Sequence, residues 1–269
     1  MHALVTNDDG IDSRGLGTLA RVAVEAGLEV VVAAPDEEFS GASASLTALE
    51  ADGRLWTHAR RLEGLSGVRA LGVEASPAFI TFAAVHEAFG PAPGVVLSGI
   101  NHGPNVGQAV LHSGTIGAAL TARTHGIPSL AISCTSPEPV HLDTCATVAA
   151  RALAWLLERP GDEAIVLSIN VPDVPPDELR GLRPARLASF GAVQAEVGEI
   201  GEDHVTMTIR ETDDELEPGT DAALTADGWA TVTTLAAPCE VPDVDIAGLV
   251  DSGQRSIAAP WEVVQSTKE

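Results

Sequence analysis

Apolar residues in the first two-thirds of the chain come in short runs, separated by longer stretches of helical spacing. Residues 3–6 (ALVT), 28–33 (LEVVVA), 95–98 (VVLS), 130–133 (LAIS) and 164–170 (AIVLSIN) read as strands. Between them 15–26, 77–89, 114–125 and 141–158 carry helical periodicity. Continuous apolar strands belong to sheets buried on both faces, and alternation with helices makes such a sheet parallel. The pattern predicts an α/β fold, a doubly wound and mostly parallel sheet.

The pattern changes after Val171. The stretches VPDVPP and RPARL read as proline-rich connectors, and HVTMTIR (204–210) alternates like a half-exposed antiparallel strand. WATVTTL (229–235) reads as a second such strand, and the tail beyond Asp251 as polar and loosely held. The expected division is an α/β core over 1–175 and, over 176–269, a β-rich extension with a projecting hairpin, partly packed on the core.

In an open parallel sheet, ligands bind outside the carboxyl ends of the strands, near a switch in strand order. Three loops there are long, polar and glycine-containing: TNDDGID, APDEEFSGASAS and SGINHGPNVG. Asp8 and Asp9 follow the first strand directly. Adjacent carboxylates repel, so keeping both ionised calls for a cation or strong hydrogen bonds. Hard oxygen donors suit Mg²⁺, Mn²⁺ or Ca²⁺; the competing reading is ordinary Asp-Gly turn chemistry. Ser40, Ser43 and Ser45 lie in the second loop, which reads equally as a solvent loop. In the third, Asn101 offers a neutral oxygen, and Asn105 either does the same or stabilises the turn after Pro104. Ser113 and Thr115 are candidate caps for the next helix, whose free N–H groups form an anion site. His102 and His112 lie in these loops as candidate general acids, while His58 reads as structural or surface. Arg14 and Arg123 are read as solvated or ion-paired.

Composition narrows the chemistry. Lys+Arg is 15 against Asp+Glu 38, a formal net charge of -23. That field repels phosphate backbones and anionic membranes, so neither nucleic acid nor membrane is an expected partner. The single lysine, Lys268, is next to the C-terminus, which leaves P-loop, kinase and Schiff-base mechanisms without their amine. Three cysteines with no C-x-x-C pair read as free thiols. The acids within the first ten residues do not suit a signal peptide, and no run reaches the roughly 18 apolar residues of a membrane span. A soluble, cytoplasmic protein is expected.

In combination, TNDDGI, APDxxxSGASxSLT and SGINHGPNVGxxVxxSGTIGAA resemble the SurE survival-protein family of metal-dependent nucleotide phosphatases. LSINVP (168–172 within it) and GTDAALTADGWATVTTL (219–235) extend the resemblance over nearly the whole chain. It implies a Rossmann-like, SurE-like core with a C-terminal hairpin extension and 5′/3′-nucleotidase activity. It also implies a divalent metal (Mg²⁺ or Mn²⁺, with Ca²⁺ as a further candidate) on Asp8, Asp9, Ser40 and Asn101, and a homodimer or homotetramer. The resulting expectation is a metal-dependent phosphomonoesterase acting on a small phosphorylated substrate. Asp8, Asp9 and Asn101 are its catalytic residues, and Ser113, Gly114 and Thr115 hold phosphate. Two rivals stand beside it: a phosphatase of a phosphorylated metabolite or sugar, and a non-catalytic metal and phosphate binder.

Three stretches depart from the family pattern. Glu37-Glu38-Phe39 stands where a basic residue is usual, Gly72-Val73-Glu74-Ala75-Ser76-Pro77 replaces Gly-Thr-Pro-Ala-Asp-Cys, and His112 replaces a tyrosine. The first two are expected to weaken action on ordinary nucleoside monophosphates, in favour of a substrate whose organic part is less anionic or more apolar.

Overall fold

The computed structural model describes residues 1–48, 50–51, 54–159, 164–189, 193–200, 204–211, 216–236 and 238–239. In chain order the elements are β1 (His2–Thr6), α1 (Arg14–Glu25), β2 (Glu29–Pro35), β3 (Glu50–Ala51), β4 (Arg54–Leu55), β5 (Thr57–Arg60) and β6 (Arg69–Val73). There follow α2 (Pro77–Val85), β7 (Val95–His102), a 3₁₀ turn (Gly107–His112), α3 (Gly114–Thr124), β8 (Ser129–Cys134), α4 (Leu142–Leu157) and β9 (Val166–Val171). The last are β10 (Leu182–Pro184), β11 (Val193–Ile200), β12 (Val205–Glu211), α5 (Asp221–Ala226) and β13 (Ala230–Leu235).

Nine strands form one sheet in the order β10-β13-β9-β8-β7-β1-β2-β6-β5. Pairing is parallel from β6 through β2, β1, β7 and β8 to β9. It turns antiparallel where β5 meets β6 and where β13 meets β9. The chain lays β2 and β6 on one side of β1, then returns to lay β7, β8 and β9 on the other. The strand order therefore reverses between β1 and β7, and there the carboxyl ends of both strands open a crevice.

The five predicted strands are present, because Val5, Val32, Val95, Val96, Leu97, Leu130, Ile132 and Val166 are fully buried between helical layers. On α1, Leu16, Leu19, Ala20 and Ala23 make the apolar stripe that faces the sheet. The helix α2 starts at Pro77, whose missing N–H costs nothing in a first turn, and Ser76 caps it by accepting from Phe79 N–H. Beyond the core, β11 and β12 form a two-stranded antiparallel sheet that matches the expected hairpin.

The second segment expected in that extension is placed differently. WATVTTL supplies β13, which joins the main sheet, with Thr231 to Leu235 registered against Asn170 to Val166. One compact unit spans Met1–Ala237. Asp221 ties this region to the core: its buried carboxylate accepts from Gly107 N–H at 2.8 Å and from Ala188 and Ala222 N–H at 2.9 Å. The polar tail expected beyond Asp251 lies outside the described residues.

Candidate active site at the switch point

Thr6 ends β1, and the next residues, Asn7, Asp8 and Asp9, turn into the crevice. Asn7 Nδ2 donates to the Gly10 carbonyl at 3.0 Å and closes the turn. Across the switch point β7 ends in Asn101 and His102, with a shift in its register against β8 between Gly99 and Asn101.

The N-terminus of α3 faces Asp8. Ser113 caps that helix, its Oγ accepting from Ile116 N–H at 3.2 Å. Thr115 donates both its N–H (3.1 Å) and its hydroxyl to the Asp8 carboxylate, and Gly114 N–H also stabilises it. A side chain at Gly114 is excluded, because its Cβ would stand 2.9 Å from both Cβ and Oδ2 of Asp8. The Ser113, Gly114 and Thr115 turn, expected to hold phosphate, is thus engaged by the protein's own anion. A carboxylate at this place is favoured by the free N–H groups and the dipole of the helix.

Asp9 lies beside Asp8, with its side chain only 9% exposed. Its Oδ2 accepts from His102 N–H at 3.3 Å. Burial, then the charge of Asp8, raise its pKa to about 7, and Glu38 adds to the effect. Burial also raises Asp8, against the hydrogen bonds from Thr115 and Gly114. The Oδ1 of Asn101 lies 3.4 Å from Thr115 Oγ1, its amide held by donation from Nδ2 to the Gly103 carbonyl at 2.7 Å. The structure thus brings Asp8, Asp9 and Asn101 together around Thr115.

Ser40 comes from the loop after β2. That loop is fixed to the crevice by Phe39 N–H donating to the Asp8 carbonyl at 2.7 Å and by Ser43 Oγ donating to the Leu111 carbonyl at 2.6 Å. Ser40 Oγ itself donates to Glu38 at 2.5 Å, which leaves its lone pairs for a cation. The donor set is hard and oxygen-only. A buried and a largely buried carboxylate with raised pKa values, beside the buried and unpartnered Asn7 Oδ1, make a local deficit of positive charge. A hard divalent ion fits it.

Other expectations resolve differently. Asn105 is buried in a network of its own: its N–H donates to Asn170 Oδ1 at 2.8 Å, its amide to Ser133 Oγ at 2.8 Å, and its carbonyl accepts from Asn170 at 2.9 Å. It braces the loop rather than the crevice. His102 adjoins Asp9, with Nδ1 at 3.8 Å from Oδ1, but burial and then the Arg14 charge lower its pKa. His112 ends the 3₁₀ turn, where its carbonyl accepts from Ser43 N–H.

One cluster escaped the sequence reading. Asp36, which follows β2 as Asp8 follows β1, accepts from Arg60 at 2.8 Å and is hydrogen-bonded to Nδ1 of His58. One ligand atom each from Asp36, His58 and Glu74 lies within 4.8 Å of the others. Metal binding is not needed there, since Arg60 already supplies positive charge to Asp36. The signal available in sequence was the carboxylate at a strand end, and its histidine partner comes from a strand that the apolar pattern did not reveal.

The family described as Survival protein SurE matches residues 3–192. The 5′-nucleotidase SurE of Aeromonas hydrophila is 34% identical over 238 residues, 87% of this chain and 92% of that protein. The 5′/3′-nucleotidase SurE of Erwinia tasmaniensis is 37% identical over 238 residues, 87% and 90% of the two chains. The crystal structure of the SurE protein from Aquifex aeolicus superimposes with a TM-score of 0.73 at 28% identity, covering 89% of this chain and 95% of that one.

Proposed function

The chain belongs to the SurE survival-protein family, and from that premise we propose that it is a metal-dependent phosphomonoesterase that releases phosphate from nucleoside monophosphates. The observation that carries the reading is the pair of adjacent carboxylates at the switch point, Asp8 buried and Asp9 largely so, with Asn101 across the crevice. Asp8, Asp9, Ser40 and Asn101 would hold the ion, Mg²⁺ or Mn²⁺. When bound, the ion supplies Lewis acidity and neutralises charge on the phosphoryl group.

The protein's own residues do the positioning. Thr115 and Gly114 fix the Asp8 carboxylate, their hydrogen bonds opposing the rise that burial gives its pKa. The Nδ2 donation to Gly103 sets the Asn101 amide with its oxygen toward Thr115. The positive end of α3 lies behind this group and favours the anionic substrate. With the only lysine next to the C-terminus, backbone dipoles and the ion carry the transition-state charge.

Phosphate release from AMP, GMP and p-nitrophenyl phosphate, with Mn²⁺ and with EDTA, tests the reading. Turnover with Mn²⁺ and its loss of at least about a hundredfold on chelation are expected. No release from any of the three would overturn it in favour of a silent binder.

We also propose a symmetric dimer or tetramer built through the hairpin. A two-stranded sheet such as β11–β12 is marginal in water without a covering surface. Light scattering at micromolar concentration should give an oligomer, and a monomer would refute the proposal. Among the described residues, no helix is long and apolar enough to cross a membrane. The free thiols of Cys134, Cys145 and Cys239 suit a reducing compartment, and we place the protein in the cytoplasm.

A further inference from the structure

Glu37-Phe39 and Val73-Glu74, two sequence departures from different loops, line one cavity. It has a volume of about 530 Å³ and also takes in Asp36, His58 and Arg60. Its position relative to the crevice follows from the sheet. It opens at the carboxyl ends of β2 and β6, one and two strands away from β1. At about 4.8 Å per strand, those two ends stand roughly 5 and 10 Å from β1. The near wall is contiguous with the metal-ligand loops, since Phe39 N–H donates to Asp8.

The polar groups in this cavity have an order. Asp36 is spent on Arg60 and His58. His58 turns Nδ1 to Asp36 and Nε2 toward Glu74. The Oε1 of Glu74 lies 4.0 Å from that nitrogen, beyond a hydrogen bond. The Glu74 carboxylate, with two acceptor oxygens, and the Arg60 guanidinium, a donor, line the cavity together with Phe39. Glu38, by contrast, turns back to Ser40.

We propose that this cavity seats the base of the nucleotide and selects guanine. The guanine edge carries a carbonyl acceptor followed by two neighbouring donors, N1–H and the 2-amino group. The two donors match the two oxygens of the Glu74 carboxylate, the carbonyl matches Arg60, and the flat ring has Phe39 to stack on. Hypoxanthine lacks the 2-amino donor, and adenine presents an acceptor at N1. The negative charge of Glu37 and Glu74 thus acts on the organic half of the substrate. The expected weak action on nucleoside monophosphates as a class becomes a choice among them.

This inference rests on the phosphomonoesterase reading, and the experiment separates the two. Steady-state kinetics of the full chain with Mn²⁺ compare GMP, IMP, AMP and p-nitrophenyl phosphate. GMP is expected to exceed IMP in kcat/KM by about tenfold or more, since the two differ by one donor to a charged acceptor. Glu74→Gln should bring that ratio to within about twofold, mainly through KM for GMP. Hydrolysis of p-nitrophenyl phosphate with equal kcat/KM for GMP and IMP would overturn guanine selection alone. A GMP preference that survives Glu74→Gln would overturn the assignment of Glu74. Failure on every substrate would remove the enzymatic reading beneath both.

Discussion

Asp9→Asn, unfolded in urea at pH 8 with the metal chelated, is expected to be more stable than the parent chain and at the same time inactive. The folded-state pKa of Asp9 is raised to about 7 from the ordinary 3.8 by burial and by the charge of Asp8. The folded protein then holds this proton at pH values where the unfolded chain has released it. Below about pH 4 both states are protonated and Asp9 contributes no penalty. Between about pH 4 and 7 folding stability falls as pH rises, and above 7 the full penalty is present. Three pKa units correspond to roughly 4 kcal/mol, an upper figure because burial relaxes and water penetrates. The difference in unfolding free energy between parent and variant should therefore grow from near zero at pH 4 to about 2–4 kcal/mol at pH 8. Saturating Mn²⁺ should reverse the order, because the parent alone regains its counter-charge. Phosphate release by the variant should fall by about a thousandfold. A stability difference independent of pH would show that Asp9 is not a frustrated carboxylate.

The second large effect concerns packing. The helix α1 crosses β7 at Gly15, where an added Cβ would lie 2.1 Å from the carbonyl oxygen of Ile100 and 3.3 Å from its Cβ. Both contacts belong to a fully buried residue next to Asn101, so relief requires backbone movement. Gly15→Ala is expected to destabilise by about 3 kcal/mol or more, at the upper end of overpacking costs. It should also lower activity, because the displaced strand end carries Asn101. One helical half-turn later, Gly17 has nothing within 4 Å of its would-be Cβ. Gly17→Ala should gain up to about 1 kcal/mol from helix propensity. Thermal or urea unfolding of the two variants checks the contrast. If both substitutions shift stability the same way, the close approach at Ile100 is not the constraint on this helix.

What sequence determined about this protein is local. Runs such as VVLS and LAIS are apolar throughout because both faces of their strands are covered, and that same fact made them readable without coordinates. Asp8, Asp9 and Asn101 stand out as candidates in sequence because they lie at strand ends, in stretches too polar and glycine-rich for simple connection. Tertiary structure decided what these residues face. WATVTTL alternates like an exposed strand, yet it pairs with β9, because alternation reports one polar face and does not name the partner strand. The helix that Ser113 caps spends its first free donors on Asp8, a choice set by strand order and invisible in the motif itself. Asp36, His58, Arg60 and Glu74 share one cavity only because β5 runs back antiparallel beside β6, setting His58 against Gly72. Hydrophobic periodicity is a property of neighbours along the chain, whereas a site is a property of neighbours across the sheet. Only the order and direction of the strands bring the second kind together.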